Sequence, residues 1–226
     1  VLVATLRGLK LHGGVSERAI KEPDMEGVRR GLVNLERHVH NLRNFGQSVV
    51  VCFNRFASDL DEEIAMVQKY CHETLGVGFA VNEAFAKGGK GAEELAQLVV
   101  DTIEQNPSQP IRFAYGLNES IEDKVNHIAK EIYSAGSVTY SSKAFKDMGL
   151  GHLPVCIAKT QYSFSTDPKA YGDVRGFEMK VGDIVINRGA EMIVVIMGDI
   201  MRMPGLPKEP QAVNMDVING QIEGLS

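Results

Sequence analysis

Residues 48–53 read Ser-Val-Val-Val-Cys-Phe, a run with no polar alternation after its first residue. A strand of that kind must be covered on both faces, and strands covered on both faces belong to parallel sheets set between layers of helix. The flanking sequence supplies the helices. Residues 24–45 place Val28, Leu32, Leu35, Val39 and Leu42 at spacings of three and four, which predicts an amphipathic helix with Asp24 as its cap and Gly46 as its stop. Residues 59–75 predict a second helix whose acidic start, Asp59-Leu60-Asp61-Glu62-Glu63, complements the positive end of the helix dipole. Val1–Thr5 and Val77–Val81 read as further short strands. Residues 84–91 read as a loop, and a helix is predicted from about Ala92 to Glu104. Right-handed crossovers put loops 54–59 and 84–91 at the C-terminal ends of the strands, the edge where open α/β sheets bind ligands.

The pattern breaks at Asn106-Pro107-Ser108-Gln109-Pro110, which sets an expected boundary: residues 1–107 as an α/β unit and 108–226 as a smaller α+β unit. In the second unit, Ser120–Tyr133 predicts a helix with Ile121, Val125, Ile128 and Ile132 on one face and a Ser-x-x-Asp start. Leu153–Ala158 predicts a strand. From Gly176 onward, short β-like runs and the alternation in Phe177-Glu178-Met179-Lys180-Val181 predict antiparallel strands.

With 24 basic against 29 acidic residues, the chain carries a net charge of −5, which disfavours a nucleic-acid or anionic-membrane partner. Cys52, Cys71 and Cys156 are odd in number and form no Cys-x-x-Cys pair, so neither a disulfide framework nor a zinc knuckle is expected, and a reducing cytoplasm fits. No apolar run reaches the roughly 18–20 residues of a membrane span. The opening Val-Leu-Val-Ala-Thr lacks both a basic leader and a cleavage-type site, and starting inside a strand without Met it is expected to be part of a longer protein. The six histidines show no metal-ligating spacing.

Four segments could carry chemistry. Asn54-Arg55-Phe56-Ala57-Ser58-Asp59 follows the buried strand directly; its aromatic could stack on a nucleotide base while amide and carboxylate groups read the edge, or Ser58 or Asp59 could simply cap the next helix. Ala86-Lys87-Gly88-Gly89-Lys90-Gly91 allows close backbone approach but departs from GxxxxGK[ST], because Gly91 stands where the hydroxyl residue would. It suits a ribose or base-edge loop, or a plain surface turn. Lys159-Thr160-Gln161-Tyr162-Ser163-Phe164 ends an apolar strand in polar and aromatic groups: Lys159 could meet a phosphate or carboxylate, Gln161 a heterocycle, and Tyr162 and Phe164 could wall a flat ring, or they could cover the core. Met201–Lys208 is a proline-stiffened loop suited to a pocket wall or to a connector.

Taken in order, VATLRGLKLHGGV (3–15), FGQSVVVCFNRFASD (45–59), AKGGKGAEELA (86–96), GLGHLPVCIAKTQYSFSTDP (149–168) and IMRMPGLPKEP (200–210) resemble the formate–tetrahydrofolate ligases. The resemblance implies a partial P-loop-type parallel sheet followed by a smaller α+β domain. It implies ATP-dependent joining of formate to tetrahydrofolate through formyl phosphate, with Mg2+ and possible use of a monovalent cation, in a cytoplasmic homo-oligomer. Carried over by motif, Asn54, Phe56, Ser58, Ala86 and Lys87 would lie on the adenine and ribose side. Lys159, Gln161, Phe164 and Pro168 would form the folate pocket, with residues 203–207 nearby. The family's phosphate loop has no counterpart in these 226 residues, so the chain alone is expected to be inactive. A non-catalytic folate- or nucleotide-binding module derived from the family is the alternative. The stretch 144–149 is shorter than the resemblance leads one to expect.

Overall fold

The computed structural model describes residues 1–141, 151–198, 200 and 207–224. The fold is α/β. Three parallel strands, β1 (Leu2–Ala4), β2 (Val50–Asn54) and β3 (Gly78–Asn82), lie in the order β1-β2-β3. Val51 is registered between Leu2 and Phe79, and Phe53 between Ala4 and Val81. That face is covered by helix α2 (Met25–Asn44) and helix α3 (Asp61–Lys69), the latter running on through a π-helical turn, Tyr70–Leu75. Val28, Leu32, Leu35, Val39, Val51, Phe53, Val67 and Phe79 form a contiguous core. The predicted stripe on α2 is the buried one, and Asp24 caps the helix by accepting from Gly27 N at 2.7 Å.

Helix α1 (Leu6–His12) joins β1 to this layer and crosses α2 at backbone contact. A Cβ at Gly31 would stand 1.9 Å from the Leu9 carbonyl oxygen, so no larger residue fits the crossing. On the other face, helix α5 (Glu93–Gln105) lays Leu98 against Gly78. Residues 84–91 are not the plain loop expected. They form a short helix α4 (Ala84–Lys87) and a 3-10 turn (Gly88–Ala92), because Glu83 N donates to Gly91 O at 2.9 Å and folds the segment back on itself.

The second sheet has the order β4-β6-β7-β5, built from β4 (Ser137–Tyr140), β5 (Val155–Ala158), β6 (Glu178–Asn187) and β7 (Met192–Met197). The β6–β7 hairpin is antiparallel, as the alternation predicts, with Met179 and Val181 buried between exposed Glu178 and Lys180. The outer strands pair parallel to it, β4 with β6 and β5 with β7, so the sheet is mixed. Its core (Met179, Val181, Ile193, Val195, Met197) is capped by Val125 and Ala129 of helix α6 (Ile121–His127) and its π-helical extension, Ile128–Ile132. Ser120 Oγ accepts from Asp123 N, as the Ser-x-x-Asp pattern predicts. A separate exposed hairpin, β8 (Asp216–Ile218) and β9 (Gln221–Glu223), follows. Among the described residues, no helix is long and apolar enough to cross a membrane.

Two buried lysines anchor connections. Lys10, 2% exposed, donates to the Glu63 carboxylate at 2.8–2.9 Å and to Glu22 O at 2.7 Å, while Glu63 Oε1 also accepts from Asp24 N at 2.7 Å. Glu63 is thus more than an acidic first-turn residue: it pins the 13–24 connection over α3. Lys124, fully buried, donates to the carbonyls of Leu117, Gly151 and Leu153. Removing one partner from a buried pair leaves the other charge desolvated. Lys10→Met is therefore expected to cost about 3–5 kcal/mol in urea denaturation; a loss under about 1 kcal/mol would be that of a surface pair.

Candidate functional site

Two neighbourhoods gather the residues expected to bind ligand. The first is the C-terminal edge of the parallel sheet. Asn54 and Asn82 end adjacent strands, and Asn82 Nδ2 donates to Asn54 Oδ1 at 2.7 Å. Asn82 Oδ1 in turn accepts from Ala84 N, and Arg55 N donates to Asn82 O. These bonds tie the loop after β2 to the segment that carries Ala86 and Lys87. Asp59 does not cap α3, whose N-cap is Leu60 with no side-chain bond; its Oδ2 accepts from Phe56 N at 2.9 Å and turns the loop so that Phe56 keeps 39% of its surface exposed. Ser58, Ala86 and Lys87 are exposed, with Lys87 paired to Glu83 on α4.

Sequence reasoning missed Arg7 here. Its guanidinium carbon lies 4.1 Å from the centroid of the Phe56 ring, and its buried Nε has no hydrogen-bond partner among the described residues. The available signal was a basic residue in the first turn after β1. The arrangement offers an aromatic face backed by a cation, beside a paired amide, which suits a flat polar heterocycle.

The second neighbourhood is a cavity of about 180 Å³ lined by His12, Asn34, His38, Tyr133, Lys159, Thr160, Gln161, Ser163 and Phe164. Lys159, Gln161 and Phe164 are brought together; Pro168 is exposed outside the lining, as is Tyr162, at 55% exposure. The residues 203–206 of the proline-stiffened loop lie outside the described residues, as does 144–149. Lys159 does not reach freely into the cavity. Its ammonium donates to the carbonyls of Thr160 at 2.8 Å, Ser165 at 3.0 Å and Ser163, and it sits 4.8 Å from the Tyr133 ring centroid. An ammonium has three protons, and here all three are committed. Burial, and then the Arg37 charge, push its pKa down to about 8, so the charged form still predominates at pH 7.

The loop beyond Lys159 is knitted by its own short side chains. Ser163 Oγ donates to Ala170 O and accepts from Ser165 N, while Ser165 Oγ accepts from Asp167 N. Phe164, only 5% exposed, packs on the His38 ring with centroids 4.7 Å apart. His12 Nδ1 accepts from Gly172 N at 3.1 Å, which fixes its neutral tautomer with the proton on Nε2. Burial lowers the His12 pKa; burial, then the charges of His12 and Arg37, push His38 down to about 4. The cavity is therefore lined at neutral pH by uncharged imidazoles, the Asn34 and Gln161 amides and aromatic rings, with the Lys159 charge turned into backbone carbonyls. A larger cleft of about 540 Å³, lined in part by Arg43, Leu98 and Arg112, opens at the opposite end of the same strands and holds none of the expected site residues. Among the described residues, no group of three or more His, Cys, Asp or Glu could hold a metal ion.

Over residues 1–226 the sequence matches the family model described as formate–tetrahydrofolate ligase. It is 65% identical to the formate–tetrahydrofolate ligase of Porphyromonas gingivalis, 58% identical to that of Parabacteroides distasonis and 48% identical to that of Campylobacter concisus. In each case all of this chain and 42% of the relative align, so the chain spans about two fifths of the length of the curated relatives it matches.

The lowered pKa of His38 makes the cavity sensitive to acid. In the window from about 4 to the ordinary 6.5, the unfolded chain holds more protons on this imidazole than the folded one, so stability falls as pH drops through it and is independent of this group above it. His38 is nonetheless a solvent-exposed residue whose ring is covered mainly where it meets Phe164, so its contribution to stability is small. The substitution His38→Gln is expected to flatten the dependence of the thermal midpoint on pH across that window. A slope identical to that of the unsubstituted protein would assign the acid sensitivity elsewhere.

Proposed function

The chain belongs to the formate–tetrahydrofolate ligase family, and on that premise we propose that it takes part in ATP-dependent ligation of formate to tetrahydrofolate, giving 10-formyltetrahydrofolate through formyl phosphate. In this reading its three-stranded sheet is part of a larger P-loop-type nucleotide-binding sheet in a cytoplasmic homo-oligomer. Asn54, Phe56, Ser58, Ala86 and Lys87 form the adenine and ribose side, with Arg7 backing Phe56. The cavity of Lys159, Gln161 and Phe164 receives tetrahydrofolate, and Pro168, which lies outside that lining, is assigned to the folate by the resemblance alone. The phosphate chemistry falls to the family's remaining length, since the 226 residues contain no GxxxxGK[ST] pattern.

One observation carries this reading: the family match runs through the whole chain, and three of the four residues that the resemblance assigns to folate line a single cavity. The chemistry of that lining is apt. Phe164 and Tyr133 contribute aromatic surface to the lining, Gln161 can both donate and accept, and the neutral histidines avoid burying charge against a neutral heterocycle. Lys159 serves by holding the loop rather than by gripping a ligand, because its donors are already taken by carbonyls.

Reciprocal substitutions in a complete ligase carrying this segment test the division of labour. Phe56→Ala is expected to raise the KM for MgATP about tenfold with little change for tetrahydrofolate, and Gln161→Ala the reverse. Exchange of the two effects would sink the assignment of both sites. Sustained 10-formyltetrahydrofolate synthesis by residues 1–226 alone would show that the phosphate chemistry does not reside in the remaining length.

A further inference from the structure

Helix α2 carries a second stripe beside the apolar one, made of Asn34, Arg37 and Asn41. Asn34 Nδ2 donates to Gly172 O at 3.3 Å, and Asn41 Nδ2 to Ile132 O at 3.1 Å. Arg37 lies between them, 5% exposed. Its Nη1 donates to Asp173 Oδ1 and to Val174 O, both at 2.7 Å, and its Nη2 reaches Ile132 O at 3.4 Å. Its guanidinium carbon sits 3.9 Å from the centroid of the Phe164 ring. Arg37 does not itself line the cavity, but Phe164 does. Asp173 is held from its other oxygen by Arg175, so the anchor for Arg37 is itself fixed.

The geometry points to Arg37 as a positioning residue for the cavity: it sets the Phe164 ring, and the 172–174 backbone behind it, against α2. The helix that roofs the parallel sheet thereby also fixes one wall of the cavity. Planarity is what the position demands. A guanidinium can lie flat on the ring while its edge donates to a carboxylate and a carbonyl at once; an ammonium in the same place keeps the charge and one bond but loses the stacked face. The inference rests on the folate reading of the cavity given above.

The test is a double-mutant cycle in a complete ligase carrying this segment. Arg37→Lys is expected to raise the KM for tetrahydrofolate about three- to tenfold, leaving kcat and the KM for MgATP within about twofold. Phe164→Leu is expected to raise the same KM, and the double variant should rise no further than Phe164→Leu alone, because Arg37 acts through that ring. Multiplying effects, or a lowered thermal midpoint with an unchanged KM for tetrahydrofolate, would reduce Arg37 to a structural clamp and overturn the proposal. A Phe164→Leu variant with an unchanged KM for tetrahydrofolate would instead overturn the folate reading of the cavity and take the Arg37 role with it. Should Arg37→Lys not fold, Asp173→Asn, which weakens the anchor and keeps the guanidinium, is read in the same cycle with the same outcomes.

Discussion

Helix α2 must satisfy two neighbours at once, and the arrangement of both halves of the chain follows from how it does so. Its apolar stripe, Val28, Leu32, Leu35 and Val39, covers one face of the parallel sheet. Its polar stripe holds Ile132 and residues 172–174 by donating directed hydrogen bonds rather than through a hydrophobic seam. The first contact is non-directional and tolerant of exchange; the second depends on angle and distance. A helix bound in both ways cannot rotate or slide without losing one set of partners, so whatever fixes its register on the sheet also fixes the cavity beyond it.

Helix α1 gives the two candidate sites a common ruler. Arg7, in its first turn, stacks on Phe56, while His12, in its last, lines the cavity. Five residues of α-helix advance about 7–8 Å. The Gly31 crossing locks this short helix against α2, so the spacing between the two sites is set by backbone contact. A short helix locked in this way lets neither neighbourhood shift along α1 without the other.

Much of the sheet was legible in the sequence because its signals are periodic or terminal. The stripe on α2, the Asp24 and Ser120 caps and the uninterrupted β2 run each have one simple physical reading. What escaped was decided by groups distant in sequence. The polar stripe of α2 looks like any solvated helix face until Ile132 and residues 172–174 are folded against it. Lys10 and Glu63 look like ordinary surface charges, yet both are buried because the 13–24 connection closes over them. Strand β4, with little apolar content, is held by pairing with β6 rather than by its own pattern. At the sites, Phe56 and Phe164 stand out as aromatics in polar loops, but the cations that back them, Arg7 and Arg37, lie on other elements and leave no local trace.

The two carbonyl cages carry a consequence for chemical reactivity. A lysine near pKa 8 beside a cavity would ordinarily be a preferred target for acylating reagents, since its free amine is populated at neutral pH. Attack on an electrophile needs an exposed lone pair, however, and Lys159 is a buried residue whose nitrogen is directed at three backbone oxygens. Lys124 is enclosed in the same manner and more completely. Both nitrogens thus act as fixed internal cations, and the folded chain leaves neither of them a free lone pair for acyl transfer.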